Sequence, residues 1–211
     1  MVYLSQNNMN SIIDNFSIDE NGTIAAIKSK KFSIFNNTNN LHFIGLGGSG
    51  SNVVEYLQAN SIKAKFTCIT NPDRPNLSAE INFINFRAKY TDIQSIDLLN
   101  EIANIFNKNE NYILLNGLGG NSGTFLTKKI AELLFDKGIS FIIISSLPFS
   151  FEGTECPTIA NLAMQKLQKY SNFYFYTFNE VKILYNKKMG FRELFVKVNE
   201  MIYTLIIANR N

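Results

Sequence analysis

Twice in this chain a short apolar run leads straight into a glycine-rich segment that opens an amphipathic stretch. LHFIGL runs into GLGGSGSN at Gly45–Asn52, and YILLNGL runs into GLGGNSGTF at Gly117–Phe125. An apolar run of six or seven residues that ends in glycines and then takes helical periodicity reads as strand, tight loop and helix. Strands that are apolar on both faces belong in a parallel sheet covered on both sides, which places both loops at the same, carboxyl end of that sheet. Glycine lets the backbone take positive φ and approach a ligand closely. The first amides of the following helix lack intrahelical partners and lie at the positive end of its dipole. Two such loops at one sheet end point to the phosphates of a nucleotide.

The remaining pattern agrees. From Leu41 onward, strand and helix alternate: LHFIGL, a helix over 51–59, AKFTCIT, INFINF, a helix over 93–106, and YILLNGL. After the second loop come a helix over 123–136, SFIIISSL, a helix over 158–169, NFYFYTF and a closing helix over 191–208. The expected fold class is α/β, a Rossmann-like open and mainly parallel sheet with helices on both faces and ligands at the carboxyl ends of the strands. Residues 1–40 are richer in Asn and Ser and read as an N-terminal extension, in which TIAAIKS and KKFSIF alternate like the two strands of a hairpin; residues 41–211 form one domain.

Composition narrows the function classes. The 211 residues, 45% of them hydrophobic, suffice for one sizeable core. The formal charge of +3 comes from lysines dispersed among acids, without the arginine-rich run that tracks a nucleic-acid backbone, so nucleic acid is not expected as a partner. Cys68 and Cys156 read as buried thiols, and no apolar run approaches the roughly 20 residues of a membrane span, so the expectation is a cytoplasmic protein with no direct membrane insertion. The lone His42 reads as a strand residue rather than a catalytic one, and the few His and Cys leave no metal cluster.

The second loop and its continuation, GLGGNSGTFLTKKIAELLFDKGISFIIISSLPFSFEG, closely resemble the signature loop, helix, strand and Pro-Phe-x-Phe-Glu-Gly turn of FtsZ and tubulin-like GTPases. The resemblance runs from about Leu41 to the end of the chain and covers the N-terminal nucleotide-binding half of that family. It implies bound GTP or GDP, with Mg²⁺ held through the phosphates. In the first loop Gly47, Gly48, Ser49 and Asn52 match positions beside the α- and β-phosphates. In the second, Gly119, Gly120, Asn121, Ser122, Gly123 and Thr124 match the amides and hydroxyl that cradle the β-phosphate and reach toward the γ-phosphate. Glu152 matches a ribose-contacting glutamate and Asn179 an asparagine that binds guanine. On the last helix Phe195 matches the residue that stacks on the base and Glu200 the acid that reads its N–H groups. Catalytic residues are not assigned.

This chain also departs from the family pattern. An arginine that follows the Phe-Glu-Gly turn in the family falls at or near Cys156, and the Gly-Ala-rich loop over the γ-phosphate is replaced by FRAKYTD, where Arg87, Lys89 or Thr91 are candidate substitutes. The acidic loop and second domain that follow the base-reading helix in the family are not found before Asn211, so impaired self-catalysis is expected. The resemblance implies a binding or regulatory module of a cytoskeletal or cell-division system, with GTP hydrolysis weak or dependent on a partner. A full-length FtsZ-like protein or another partner would supply the acidic loop; self-association is a further expected contact. Two other readings stay open. Gly45, Gly47 and Gly50 by themselves satisfy the dinucleotide fingerprint and resemble the first loop of ThiF-type adenylating enzymes, which would make the ligand ATP or NAD with Asp73 and Arg74 near the ribose and phosphate. Alternatively the domain is a degenerate scaffold, with Phe125 or Arg87 filling the phosphate space.

Overall fold

A computed structural model describes residues 10–11, 16–18, 24–27, 40–71, 78–86, 100–149, 152–170, 172–185 and 189–210. Its elements run β1 (Asn10–Ser11), β2 (Phe16–Ile18), β3 (Ile24–Ile27), β4 (Leu41–Leu46), α1 (Gly47–Ala59), β5 (Lys65–Thr70), β6 (Asn82–Asn85), β7 (Asn111–Gly117), α2 (Asn121–Asp136), β8 (Phe141–Leu147), α3 (Glu155–Leu167), β9 (Phe173–Thr177), α4 (Phe178–Tyr185) and α5 (Phe191–Arg210). Seven strands form one sheet in the order β1-β9-β8-β7-β4-β5-β6. Every pairing in it is parallel.

The strand order positions the site. The chain lays down β4, β5 and β6 in one direction, then returns to the other side of β4 for β7, β8 and β9. Connections on the two sides of β4 therefore diverge, and a crevice opens between the carboxyl ends of β4 and β7. Both glycine-rich loops leave the sheet at that crevice.

The two faces are covered as the apolar strands require. All six residues of β4 and all seven of β8 are buried. On one face Phe43, Leu115 and Ile144 pack with Val54 and Leu57 of α1, Val181 of α4 and a stripe on α5 comprising Leu194, Val198, Met201, Ile202, Leu205 and Ile206. On the other, Ile44, Leu114 and Ile143 pack with Leu126, Ile130 and Leu134 of α2 and with Ala160, Met164 and Leu167 of α3. Helix α2 ends where Gly138 takes φ +63 and the amides of Gly138 and Ile139 reach back to the carbonyls of Phe135 and Leu134 at 3.0 and 2.9 Å.

Several sequence expectations shift. Phe178, read as the end of a strand, instead begins α4. The Thr177 amide donates to the Glu180 carboxylate at 2.8 Å while the Glu180 amide donates to the Thr177 hydroxyl at 3.0 Å, a reciprocal pair that starts a helix there. Phe16–Ile18 pairs with Ile24–Ile27, on either side of the Asn21-Gly22 turn signal, and the expected partner strand KKFSIF lies outside the described residues. So do 93–99 of the helix expected over 93–106, of which 100–103 are helical. Strand β1 adds to the sheet edge beside β9.

Candidate functional site

Three glycines bring the two loops together by backbone contact. Helix α1 folds directly over the sheet because Gly50 presents only hydrogen to β7, where a Cβ would lie 1.9 Å from the Leu115 carbonyl oxygen. Gly47 takes φ +70, and a Cβ there would lie 3.1 Å from the backbone of Gly123. Gly123 in turn lies against the carbonyls of Gly117 and Leu46, 3.0 and 3.1 Å from where its Cβ would be. The start of α1 and the start of α2 are therefore in contact. Neither helix has a side-chain cap or an acid in its first turn, so both positive ends face outward without internal neutralisation.

Between them lies a cleft of about 660 Å³, within the usual range for small-molecule sites. Of the residues assigned from the sequence, Gly47, Gly48, Ser49 and Asn52 line it from α1, Gly120, Asn121, Ser122 and Gly123 from the second loop, Glu152 from the turn after β8, and Phe195 from α5. The Ser49 hydroxyl lies 3.4 Å from that of Ser146 at the end of β8, tying the first loop to the next strand. The Glu152 carboxylate accepts the Phe149 amide at 2.8 Å and closes its own turn. Among the described lining residues Glu152 is the only ionisable side chain, so an anion here would be met by backbone amides and hydroxyls.

Three assigned residues, Gly119, Thr124 and Glu200, do not line the cleft. Gly119 takes φ +102, and its amide donates to the Thr124 hydroxyl oxygen at 2.9 Å; both shape the second loop from beneath, buried, without lining the cleft. Asn179 is the second residue of α4, and its side chain lies outside the described residues. Glu200 sits more than a turn beyond Phe195, held at 2.7 Å by the Lys197 ammonium one turn earlier on α5, and its charge acts on Tyr56 of α1. The candidate substitutes Arg87, Lys89 and Thr91, and likewise Asp73 and Arg74, lie outside the described residues. Phe125 stacks on Phe86, ring centroids 6.0 Å apart, and does not line the cleft.

Sequence reading missed one wall. Phe149 and Phe178 stack at 4.3 Å with planes 12° apart, and Phe195 meets Phe178 edge-on at 4.9 Å. All three line the cleft, forming an apolar surface suited to a planar ring. Phe195 is 40% exposed, whereas the other two are buried, so its ring is the accessible one. Thr70 and Asn71, at the carboxyl end of β5, complete the lining; their signal was topological, since β5 adjoins the strand at the switch point. Cys68 is buried as expected, but Cys156 is half-exposed, with its carbonyl against Gly119.

A second group of polar side chains gathers at the opposite end of the sheet. His42 Nδ1 lies 2.8 Å from Glu110, its Nε2 lies 2.8 Å from the Thr67 hydroxyl, and the Tyr112 hydroxyl donates to Glu110 at 3.0 Å, with Lys65 also paired to that carboxylate. Glu110, distant in sequence from His42, is the acid that orients the imidazole. Burial holds His42 below its usual pKa against the pull of Glu110. Burial alone would raise Glu110, but hydrogen bonds from Lys65, His42 and Tyr112 outweigh it and hold the carboxyl at about 2. The chain of acid, imidazole and hydroxyl resembles a nucleophile's, but Thr67 is 1% exposed, so no substrate reaches it and the network ties β4, β5 and β7 together.

Residues 88–184 match the Tubulin/FtsZ family, GTPase domain. The cell division protein FtsZ of Aquifex aeolicus is 26% identical over 183 residues, covering 80% of this chain and 50% of that protein. The mitochondrial division protein fszB of Dictyostelium discoideum is 26% identical over 185 residues, covering 79% and 50%. The chain thus spans about half the length of these curated relatives. Among solved structures, an FtsZ dimer from M. jannaschii superposes with a TM-score of 0.65 at 18% identity, covering 86% of this chain and 57% of that one. A PhuZ201 filament gives 0.57 at 17%, covering 80% and 55%. The resemblance to FtsZ and tubulin-like GTPases read from the second loop therefore extends to the sequence and the fold of the domain.

Proposed function

We propose that this chain, an FtsZ/tubulin-like GTPase domain in sequence and fold, binds GTP or GDP across the crevice between β4 and β7. The observation that carries this reading is the contact between Gly47 and Gly123, which opens two uncapped helix N-termini on one cleft that is also lined by aromatic rings. Phosphates would lie against the amides of Gly47–Ser49 and Gly120–Ser122, and the base against Phe195. Thr124 and Gly119 fix the loop rather than touch the ligand. Glu152 is placed for the ribose, and Asn179 and Glu200 are the remaining candidates for the base edge. Magnesium would be held by phosphate oxygens and water, since no group of three His, Cys, Asp or Glu is assembled among the described residues.

Hydrolysis is the weaker half of the activity. Beyond Glu152, already bonded to the Phe149 amide, the described lining offers no ionisable group to deprotonate water. We assign that step to a partner that carries the acidic loop, such as a longer FtsZ-like protein. The setting is a cell-division or cytoskeletal system in the cytoplasm, and among the described residues no helix is long and apolar enough to cross a membrane.

Thermal unfolding tests the reading. GDP at about 100 times its Kd contributes about 2.7 kcal/mol, a rise in Tm on the order of 5–10 °C for a domain of this size. An equal or larger rise with ADP or NAD would sink the guanine assignment and restore the first-loop reading.

A further inference from the structure

The nucleotide cleft is not the only concavity. A groove of about 510 Å³ runs between α2 and α3 and shares no residue with that cleft. Four lysines line it, Lys128 and Lys129 from α2 and Lys166 and Lys169 at and just beyond the end of α3, against a single carboxylate, Glu132. The whole chain carries a formal charge of only +3, so this groove concentrates as much positive charge as the molecule has in excess.

Two of those lysines have an ordinary structural role. Lys166 in the last turn of α3 and Lys169 just past it complement the helix dipole. That role does not extend to α2, where Lys128 sits mid-helix facing them. Burial first, then the nearby Lys166 and Lys129, hold its ammonium below the usual range. Glu132 approaches only Lys129, at 3.7 Å, on a pair more than half exposed. Among the described residues no carboxylate pairs with Lys128 or Lys166.

The floor is apolar. Phe125, Leu167 and Tyr170 lie between the lysines, and the same helix faces carry large exposed apolar side chains beyond them, Phe135 on α2 at 62% and Leu162 on α3 at 56%. Phe135 rests on Tyr170 with ring centroids 5.4 Å apart. A phosphate backbone is poorly served here, because a glutamate lies among the lysines and no arginine lines the groove. An acidic peptide matches both properties, with carboxylates meeting the ammonium groups and an aromatic or aliphatic residue seated on Tyr170 and Leu167.

We propose that the α2–α3 groove is a docking site for an acidic segment of a protein partner that carries an apolar anchor between its carboxylates. Docking there leaves the nucleotide cleft open, so the two ligands bind together.

The test uses the whole chain and a fluorescein-labelled twelve-residue peptide of alternating Asp and Glu with one Phe and one Leu at its centre. Anisotropy at about 50 mM salt should show saturable binding that weakens as salt rises. Lys128→Glu and Lys166→Glu should each weaken it at least about tenfold, two opposed charges being worth at least 1.4 kcal/mol in this setting. Both positions are helical and at least partly solvent-accessible, so circular dichroism and the response to GDP should match wild type. A peptide with the two apolar residues replaced by Glu should bind more weakly than the parent. No saturable binding of the parent peptide, binding indifferent to both charge reversals, or tighter binding of an oligothymidylate through the same lysines would each overturn the proposal.

Discussion

Gly120→Asp should move stability and ligand affinity in opposite directions. Gly120 is the N-cap of α2, with φ −81 and ψ 154, an extended conformation open to any residue, and a Cβ there meets nothing within 4 Å. Aspartate is a favoured N-cap, and its carboxylate would accept the unpaired amides at the start of α2, adding a few tenths of a kcal/mol to stability over glycine. Those amides are the ones assigned to phosphate. A carboxylate about 5 Å from a phosphate oxygen repels it by about 3 kcal/mol per unit charge at an effective dielectric constant near 20, which is roughly a hundredfold in Kd before the loss of the amides is counted. Gly120→Asn caps the same amides without the charge and should lie between wild type and Asp. Urea denaturation reads the first effect and titration with GDP the second. An Asp variant that binds GDP within about threefold of wild type would refute the placement of phosphate at α2, because neither misfolding nor strain is available as an excuse.

Other expectations follow from the same geometry. Gly50→Ala should cost about 3 kcal/mol or more, because a methyl 1.9 Å from the Leu115 oxygen forces α1 off β7; a urea midpoint near wild type would contradict that packing. Ser145 Oγ and both polar atoms of the Asn116 amide are buried, with no protein hydrogen-bond partner, on neighbouring strands under the second loop. Ser145→Ala should therefore be neutral or stabilising by about 1 kcal/mol, and a clear loss of stability would show the hydroxyl to be paired. Thr177→Ala removes half of the reciprocal cap of α4 and should cost about 1 kcal/mol in the same assay. Acid should unfold the chain in two stages. His42, with its folded pKa below 6.5, loses its contribution as pH falls below that value, and Glu110, lowered from 4.5 to about 2, contributes about 3 kcal/mol that is present above pH 4.5 and lost toward pH 2. Glu110→Gln should flatten the second stage in a pH series of urea midpoints, and an unchanged slope between pH 4.5 and 2 would contradict the network.

Much of the fold was legible because its strands are apolar on both faces. LHFIGL is β4 to the residue, SFIIISSL exceeds β8 by one residue at its start, and YILLNGL is β7 shifted by one residue at each end. The loops were legible for a related reason, since glycine at Gly47 and Gly50 answers to backbone contact, which the sequence records directly. What escaped were relations between distant segments. Glu110 and His42 meet only because β4 and β7 are neighbours, a fact of strand order. The aromatic wall needs Phe149, Phe178 and Phe195 from three elements, and helix α4 was hidden because Phe178 extends an aromatic strand pattern even though Thr177 and Glu180 spell out a helix start. The lysines of α2 and α3 look dispersed along the chain and become one groove only when the helices pack side by side. The Lys197–Glu200 pair, by contrast, follows directly from a spacing of three on one helix.

The most direct test of the central claim is an amide-resolved NMR titration with GDP, run in parallel with ADP and NAD. If the two loops form one phosphate site, the largest shifts appear together at Gly47, Gly48, Ser49, Gly120, Asn121 and Ser122, saturate at one GDP concentration, and need far more ADP or NAD. Shifts confined to Gly47–Ser49, or earlier saturation with ADP or NAD, would contradict a two-loop guanine-nucleotide site.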